Sequence, residues 1–331
     1  MIVFGIIILL FAFGCKGGVK KDTITDIDVR KGIEGLKMEF LPNAPPQNVF
    51  ENGNFPISLK IKNIGAFDIV DNKNTPIIEK GVVVFGFERA FMDIRFNKEN
   101  IFEVKGKSIF SPNGDEEFIA VNAEAKNIGP QSETHPSTIF ATACYPYETI
   151  LGTSICIDTD VLGQRKGQKA CNVKDLVFNE GQGAPVAVTK IETRMLPQDD
   201  GKIKPHFLIH IENKGNGEVV NTERFRQACT SKPLEYADFN TLNVSISLSG
   251  VPLKCDEREC TGTEKECPAI ARLRSKKGGI EKREDVIRCT YEKDGGITST
   301  DAYTSSLKIE LDYGYTFTIS KDIIIEKVLT Y

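Results

Sequence analysis

The side chains best equipped for chemistry in this 331-residue chain are its nine cysteines. Thiols cross-link in an oxidising compartment or hold a soft metal. Cys15 stands apart, at the end of an apolar run. The remaining eight are Cys144, Cys156, Cys171, Cys229, Cys255, Cys260, Cys267 and Cys289. An even set suits disulfides in an exported protein. The zinc reading rests on Cys255, Cys260 and Cys267, but these are loosely spaced. No paired C-x-x-C knuckles occur and no His follows at finger spacing, so no metal is expected.

Acid, base and nucleophile candidates are few. Of three histidines, His206 and His210 lie four apart in a strand-like run, on one face, unlike the helical H-E-x-x-H pair. They read as strand-surface residues with no acidic ligand nearby. His135 lies in "SETHPST", read as a loop. No G-x-S-x-G elbow supports a serine hydrolase. Gly181-Gln182-Gly183 lacks the Lys-Ser/Thr of a phosphate loop and reads as a joint before Pro185. "SPNGDEEF" offers Asn113, Asp115, Glu116 and Glu117. Asn-Gly is the preferred hairpin turn, and a twelve-residue calcium loop is missing. No enzyme and no cofactor is expected. The formal net charge of −4 and the lack of a basic, aromatic-studded stripe exclude nucleic acid as a partner. Arg272, Arg274, Lys276 and Lys277 read as a local, solvated cluster.

What positions these residues is period-two alternation. In "FPISLKIKNIGAFDIV" Ile57, Leu59 and Ile61 alternate with Ser58, Lys60 and Lys62, and the run stops at Asn63-Ile64-Gly65. "HFLIHIENKGNGEVV" repeats the pattern and stops at Asn213-Lys214-Gly215. Asn and Gly tolerate positive φ and turn the chain. Later, Tyr145 and Tyr147 in "CYPYET" match Tyr313 and Tyr315 in "LDYGYTFT". "EFIAVNAEAKNIG" similarly matches "DVIRCTYEKDGG". The separation is 150 residues for the asparagines (213 − 63) and 168 for the tyrosines (313 − 145), so the second copy carries 18 more. Part of that excess falls in the polar, strand-poor "CDERECTGTEKECPAIARLRSKKGG".

These repeats, with short strands between turn residues, predict an all-β chain of two antiparallel sandwiches in tandem. The expected domains are 34–178 and 184–331, with a joint at 179–183 and a Cys-rich insertion near 254–279. The best helix candidate, "DLVFNEG", is short. The four tyrosines could form a carbohydrate platform. Their repetition favours packing at the end of a sandwich, with hydroxyls bonded to backbone.

The N-terminus sets the compartment. Residues 1–14 form an unbroken apolar run, too short to span a bilayer comfortably and suited to an export signal. Ala12-Phe13-Gly14-Cys15 resembles a lipobox, with Cys15 as the lipidated residue and 15–33 as a tether. A plain signal peptide or a short uncleaved anchor is the competing reading. The cysteines then divide three before the end of the joint and five after it. If all are oxidised, at least one bridge joins the halves. Cys156 with Cys171 would close the segment leaving the first domain. Cys289 would anchor Cys267 or Cys255, and Cys144 with Cys229 would cross between domains.

The strand plus Asn-x-Gly element in "LKIKNIGAFDI" and "IHIENKGNGEV" resembles CARDB-like domains, the adhesion-related immunoglobulin-like modules of archaeal and bacterial cell surfaces. The ordered set of that element, "TACYPYET", "CIDTD" and "GQGAPVAVTKIETRM" is similar to tandem β-domain surface lipoproteins of archaeal type. The resemblance implies two immunoglobulin-like sandwiches and an extracellular, membrane-anchored place. It implies a structural or adhesive role, as an assembly subunit touching other surface proteins or glycans, and no catalytic residues. The alternatives are a glycan- or solute-binding surface lipoprotein and an extracellular enzyme.

Overall fold

Alternation of apolar and polar residues becomes strand along most of the chain. The computed structural model describes residues 29–328 apart from 72–79, 96–99, 165–166, 200, 231, 257–267, 278–279 and 299–301. The first half contributes β1 (Leu36–Phe40), β2 (Asn48–Phe50), β3 (Asn54–Asn63), β4 (Gly81–Gly86), β5 (Met92–Arg95), β6 (Ile101–Phe102), β7 (Glu116–Ala125) and β8 (Thr134–Ile157). The second half contributes β9 (Leu176–Val177), β10 (Val186–Pro197), β11 (Ile203–Asn213), β12 (Glu218–Val220), β13 (Thr241–Leu248), β14 (Val251–Pro252) and β15 (Lys254–Cys255). It continues with β16 (Ala269–Arg272), β17 (Ser275–Lys277), β18 (Ile280–Lys282), β19 (Glu284–Thr290) and β20 (Tyr303–Glu326). A short helix, α1 (Phe225–Ala228), follows β12.

Three sheets carry the architecture. One has the order β1-β3-β7-β5, another β15-β19-β11-β10-β9. The third has nine strands, and its centre is β20 beside β8. Both central strands are 24 residues long. They pair antiparallel over their whole length, from Thr134 opposite Glu326 to Ile157 opposite Tyr303. The odd-numbered residues of β8, from Ser137 through Ile157, are buried with the single exception of Thr153. One face of the long sheet is therefore covered along its length, by the two smaller sheets, and the apolar interior is one contiguous cluster.

The two halves are thus not sandwiches closed off from each other: each long strand serves both. At the midpoint Pro146 faces Gly314, flanked by Tyr145 opposite Tyr315 and Tyr147 opposite Tyr313. β4 pairs β8 only as far as Cys144, so a proline without an N–H is tolerated just beyond it. Gly314 is needed for a different reason. A Cβ there would lie 2.3 Å from the Cβ of Phe225 on α1, which packs across the sheet's outer face.

Several local expectations change. "DLVFNEG" is not helical: Leu176 and Val177 form β9, paired with Ile191 and Lys190 of β10. So few residues cannot offset helix nucleation, whereas an edge ladder needs only a neighbour. The insertion near 254–279 is not strand-poor, because β15, β16 and β17 lie within it. His135 sits inside β8 rather than in a loop. The last tether residues are docked: Val29 is buried, and Gly32 forms a parallel bridge with Gly181. Residues 1–28, which hold the expected signal and Cys15, lie outside the described residues, as do Cys260 and Cys267.

Candidate functional site

The Asn-x-Gly turns are explained by what they bury. Asn63 is fully buried at the end of β3. Its Oδ1 accepts from the Gly65 N–H at 3.1 Å, and its Nδ2 donates to the carbonyls of Phe67 (2.7 Å) and Val104 (3.1 Å). Asn213 repeats this at the end of β11, accepting from Gly215 at 3.1 Å and donating to the Gly217 carbonyl at 2.9 Å. Each amide satisfies main-chain groups that the turn takes out of the ladder. A tyrosine hydroxyl then seals each corner. Tyr147 donates to the Gly183 carbonyl at 3.1 Å and accepts from the Phe67 N–H at 3.4 Å. Tyr315 donates to Asn213 Oδ1 at 3.3 Å and accepts from the Gly217 N–H at 2.8 Å. Glycine is required at both corners by close approach. A Cβ would fall 1.8 Å from the Tyr147 hydroxyl at Gly65 and 2.3 Å from the Tyr315 hydroxyl at Gly215.

The four tyrosine rings meet where the halves join. Tyr145 lies 5.8 Å from Tyr147 and 5.9 Å from Tyr315, and Tyr313 lies 6.2 Å from Tyr147 and 6.3 Å from Tyr315, centroid to centroid. Tilted and edge-on contacts of this kind add to burial. The Tyr313 hydroxyl is shared with Thr149 Oγ1 (3.0 Å) and the Val186 N–H (3.3 Å). Burial raises all four phenols above their ordinary range and pushes Tyr315 up to about 12. The rings face the interior, so they weld the waist and offer no platform to a sugar.

The cysteines cross-link the same framework. Disulfides join Cys144 to Cys229, Cys156 to Cys171 and Cys255 to Cys289. The first ties β8 to the residue after α1. The third joins facing residues of β15 and β19. Three bridges point to an oxidising environment outside the cytoplasm.

The titratable groups fall into local pairs. His135 Nε2 lies 3.1 Å from Glu88 Oε2, which also accepts from Ser137 Oγ at 2.8 Å. These two partners hold the Glu88 carboxyl below its usual range, the serine having the larger effect. In a hydrolytic triad the serine would bond the imidazole; here carboxylate separates them. His210 meets Glu192 at 3.1 Å, correcting the expectation that no acid lies near it, and His206 meets Thr290 Oγ1 at 3.0 Å. In "SPNGDEEF" the carboxylates diverge. Asp115 accepts from the Lys105 N–H, Glu116 pairs with Lys60, and Glu117 accepts from the Glu103 N–H. Arg274 is not simply solvated: it stacks 3.8 Å over the Tyr236 ring and donates to the carbonyls of Tyr236 and Phe239. The side chains of Lys276 and Lys277 lie outside the described residues.

One group escaped the sequence reading. Glu148, on the outer face of β8, stands opposite Asp312 of β20 and near Glu310. Burial, then those two carboxylates, raise it to about 7. Its signal was the pairing of "YPYET" against "ELDYGY", which no local motif announces.

Clefts open on this framework among the described residues. One, of about 810 Å³, is bordered by Arg30, Lys31, Ile150, Phe178, Gln182 and Lys308. A second, of about 510 Å³, lies under Pro252, Lys254 and Glu310. A third, of about 290 Å³, runs from Met38 past Tyr145 and Tyr315 to Phe317 and Ile319. It borders an edge of β20 that no described strand pairs. On that side of β20 the pairing with β12 reaches Thr316 and the pairing with β2 starts at Ile324, leaving 317–323 open between them. No protein-family model matches the chain, and no curated protein matches it. Among the described residues no helix is long and apolar enough to cross a membrane.

Proposed function

We propose that the chain is a non-enzymatic cell-surface protein, structural or adhesive, held to the membrane through lipid on Cys15 and working as a subunit of an assembly. Its two halves are immunoglobulin-like, CARDB-like modules in tandem that have come to share one sheet. The observation that carries this reading is the open edge of β20 at 317–323, on a core welded by four tyrosines. An unpaired edge offers main-chain donors and acceptors to a strand of another surface protein. Lys321, exposed within that stretch, is the charge that discourages unspecific pairing. Cross-links and local ion pairs suit a load-bearing body.

The test is cross-linking on intact cells. Full-length chain should be captured with surface proteins, and Ile319→Lys should lose that capture without losing fold. Cys15→Ser should release the chain from membranes. Undiminished capture by Ile319→Lys would remove the edge from the account. A second reading, glycan or solute binding, is favoured by the 810 Å³ cleft, where Phe178 stands among Arg30, Lys31 and Lys308. Thermal shifts with acidic oligosaccharides, abolished by Lys308→Ala, would support it.

A further inference from the structure

The turn that follows β6 presents two adjacent apolar side chains to solvent. Ile109 is 50% exposed and Phe110 is 91% exposed. Scattered exposed apolar residues mean little, but this pair sits on a turn that is tied down. The Ser108 N–H donates to the Ser111 carbonyl at 3.0 Å, and the Ser111 N–H donates to Ser108 Oγ at 3.0 Å. The base is closed by the Asp115 N–H on the Lys105 carbonyl (2.9 Å) and the Lys107 N–H on the Gly65 carbonyl (2.7 Å). Gly106 donates to Asp68 Oδ1 at 2.7 Å. At Gly114, with φ of +65°, a Cβ would meet the Asn63 carbonyl oxygen at 2.0 Å. The loop is built onto the first Asn-x-Gly corner, and its tip points Phe110 away from protein.

The same corner receives the incoming chain. The Ala66 N–H donates to the Gly183 carbonyl, and the Gly183 N–H donates to the Gly32 carbonyl. Arg30 Cα lies 3.3 Å from where a Cβ on Gly183 would stand. Residues 15–28 upstream span at most about 50 Å when extended. Before them lies the apolar run of residues 1–14. Arg30, from which the chain continues toward its anchor, and the base of the Ile109–Phe110 turn therefore both lie against the corner formed by Gly65, Ala66 and Gly183.

We infer that the 106–114 turn dips Ile109 and Phe110 into the lipid interface, as a second contact beside the N-terminal anchor, so that the waist side of the protein faces the bilayer. This rests on the membrane-anchored reading above. One apolar pair cannot hold a protein on lipid alone. Added to a first anchor it gains effective concentration and fixes orientation. Lys105 and Lys107 precede the pair and suit an anionic headgroup layer, while the carboxylates that follow it, Asp115, Glu116 and Glu117, are engaged by the Lys105 N–H, Lys60 and the Glu103 N–H.

The sequence contains no tryptophan, so Phe110→Trp places a single indole reporter at the tip. Full-length Phe110→Trp is mixed with vesicles of equal phosphatidylcholine and phosphatidylglycerol, and flotation and emission are read together. Flotation with a blue shift, and loss of emission on lipids brominated at shallow acyl positions, is the expected result. Flotation with water-like, unquenched emission overturns the inference and leaves the anchor standing. In the double variant Cys15→Ser with Phe110→Trp, a blue shift on vesicle addition without flotation keeps the inference and removes the dependence on lipidation. Neither flotation nor shift in the full-length chain overturns both. Ile109→Ser with Phe110→Ser, both exposed and harmless to folding, should still float through the anchor but lose protection of Lys107 from a water-soluble amine reagent. Unchanged protection would also count against it.

Discussion

The two Asn-x-Gly corners make nearly the same bonds and are stabilised from different directions. At the first, the Tyr147 hydroxyl donates out to Gly183 in the joint, and the corner carries the Phe110 turn. At the second, Tyr315 donates back into its own corner, at Asn213. There Arg283 adds a local clamp, donating to the carbonyls of Gly217 and Gly215, both at 2.9 Å. The first corner is thus tied by its tyrosine to the joint, whereas the second is tied by its tyrosine to its own asparagine and by Arg283 and the Pro185 carbonyl to neighbouring segments. An identical turn motif can be sealed onto a distant carbonyl or back onto its own asparagine, depending on where one hydroxyl points.

The largest effect expected from that difference is covalent. Cys144–Cys229 closes 85 residues and crosses between the halves, whereas Cys156–Cys171 closes 15 within one segment. Replacing the first pair by serine should cost about 4.6 kcal/mol and the second about 3 in the chain-entropy model, read from urea midpoints. Equal costs would mean that the crossing adds nothing. Next come the glycines. Gly65→Ala should cost about 3 kcal/mol or more, since its Cβ would also meet the Gly183 carbonyl oxygen at 2.5 Å, main chain that cannot swing away. Gly215→Ala should cost less, because the three atoms nearest its Cβ all belong to the side chains of Tyr315 and Pro185, the closest at 2.3 Å. Reversal of that order would reverse the comparison.

Asn63→Ala should cost about 3 kcal/mol and Asn213→Ala about 2. The first breaks three bonds to main chain: the Gly65 N–H keeps the Gly35 carbonyl and the Val104 carbonyl keeps the Ile69 N–H, but the Phe67 carbonyl loses its partner. The second breaks two, and both groups keep a partner, the Gly215 N–H on Pro185 and the Gly217 carbonyl on Arg283. The smallest effect sharpens the comparison on the outer face, where Glu148 of β8 is matched by Thr316 of β20. Glu148 has its pKa raised to about 7 by burial, so its ionised form opposes folding. Its contribution is fully present below about pH 4.5 and is lost as pH rises through about 7. Glu148→Gln should gain roughly 1 kcal/mol at pH 8, after allowance for solvent screening, and nothing at pH 4. A gain that did not vary with pH would assign the effect to packing.

Sequence alone gave the strands and corners because they depend on short spacing: Ile57, Leu59 and Ile61 alternate whatever lies beside them, and Asn63-x-Gly65 turns locally. It could not give the partner of β8. "CYPYET" and "LDYGYT" obey the same period, so pairing within a half and pairing across the halves satisfy the pattern equally. Glu148 was invisible for that reason, since its neighbour Asp312 is set by the register. The strands inside the Cys-rich stretch were missed because β16 is short and its support comes from Thr241–Val244 of β13. His135 was misplaced because "SETHPST" has turn composition, while its β20 partner Ile325 holds it extended.

The central claim is that one sheet and four tyrosines make the two halves a single body. Differential scanning calorimetry of the oxidised chain tests it most directly. The shared β8–β20 ladder predicts one transition, with calorimetric and van't Hoff enthalpies equal, and Tyr147→Phe should lower that transition as a whole. Two separable transitions, or a Tyr147→Phe effect confined to one of them, would contradict it.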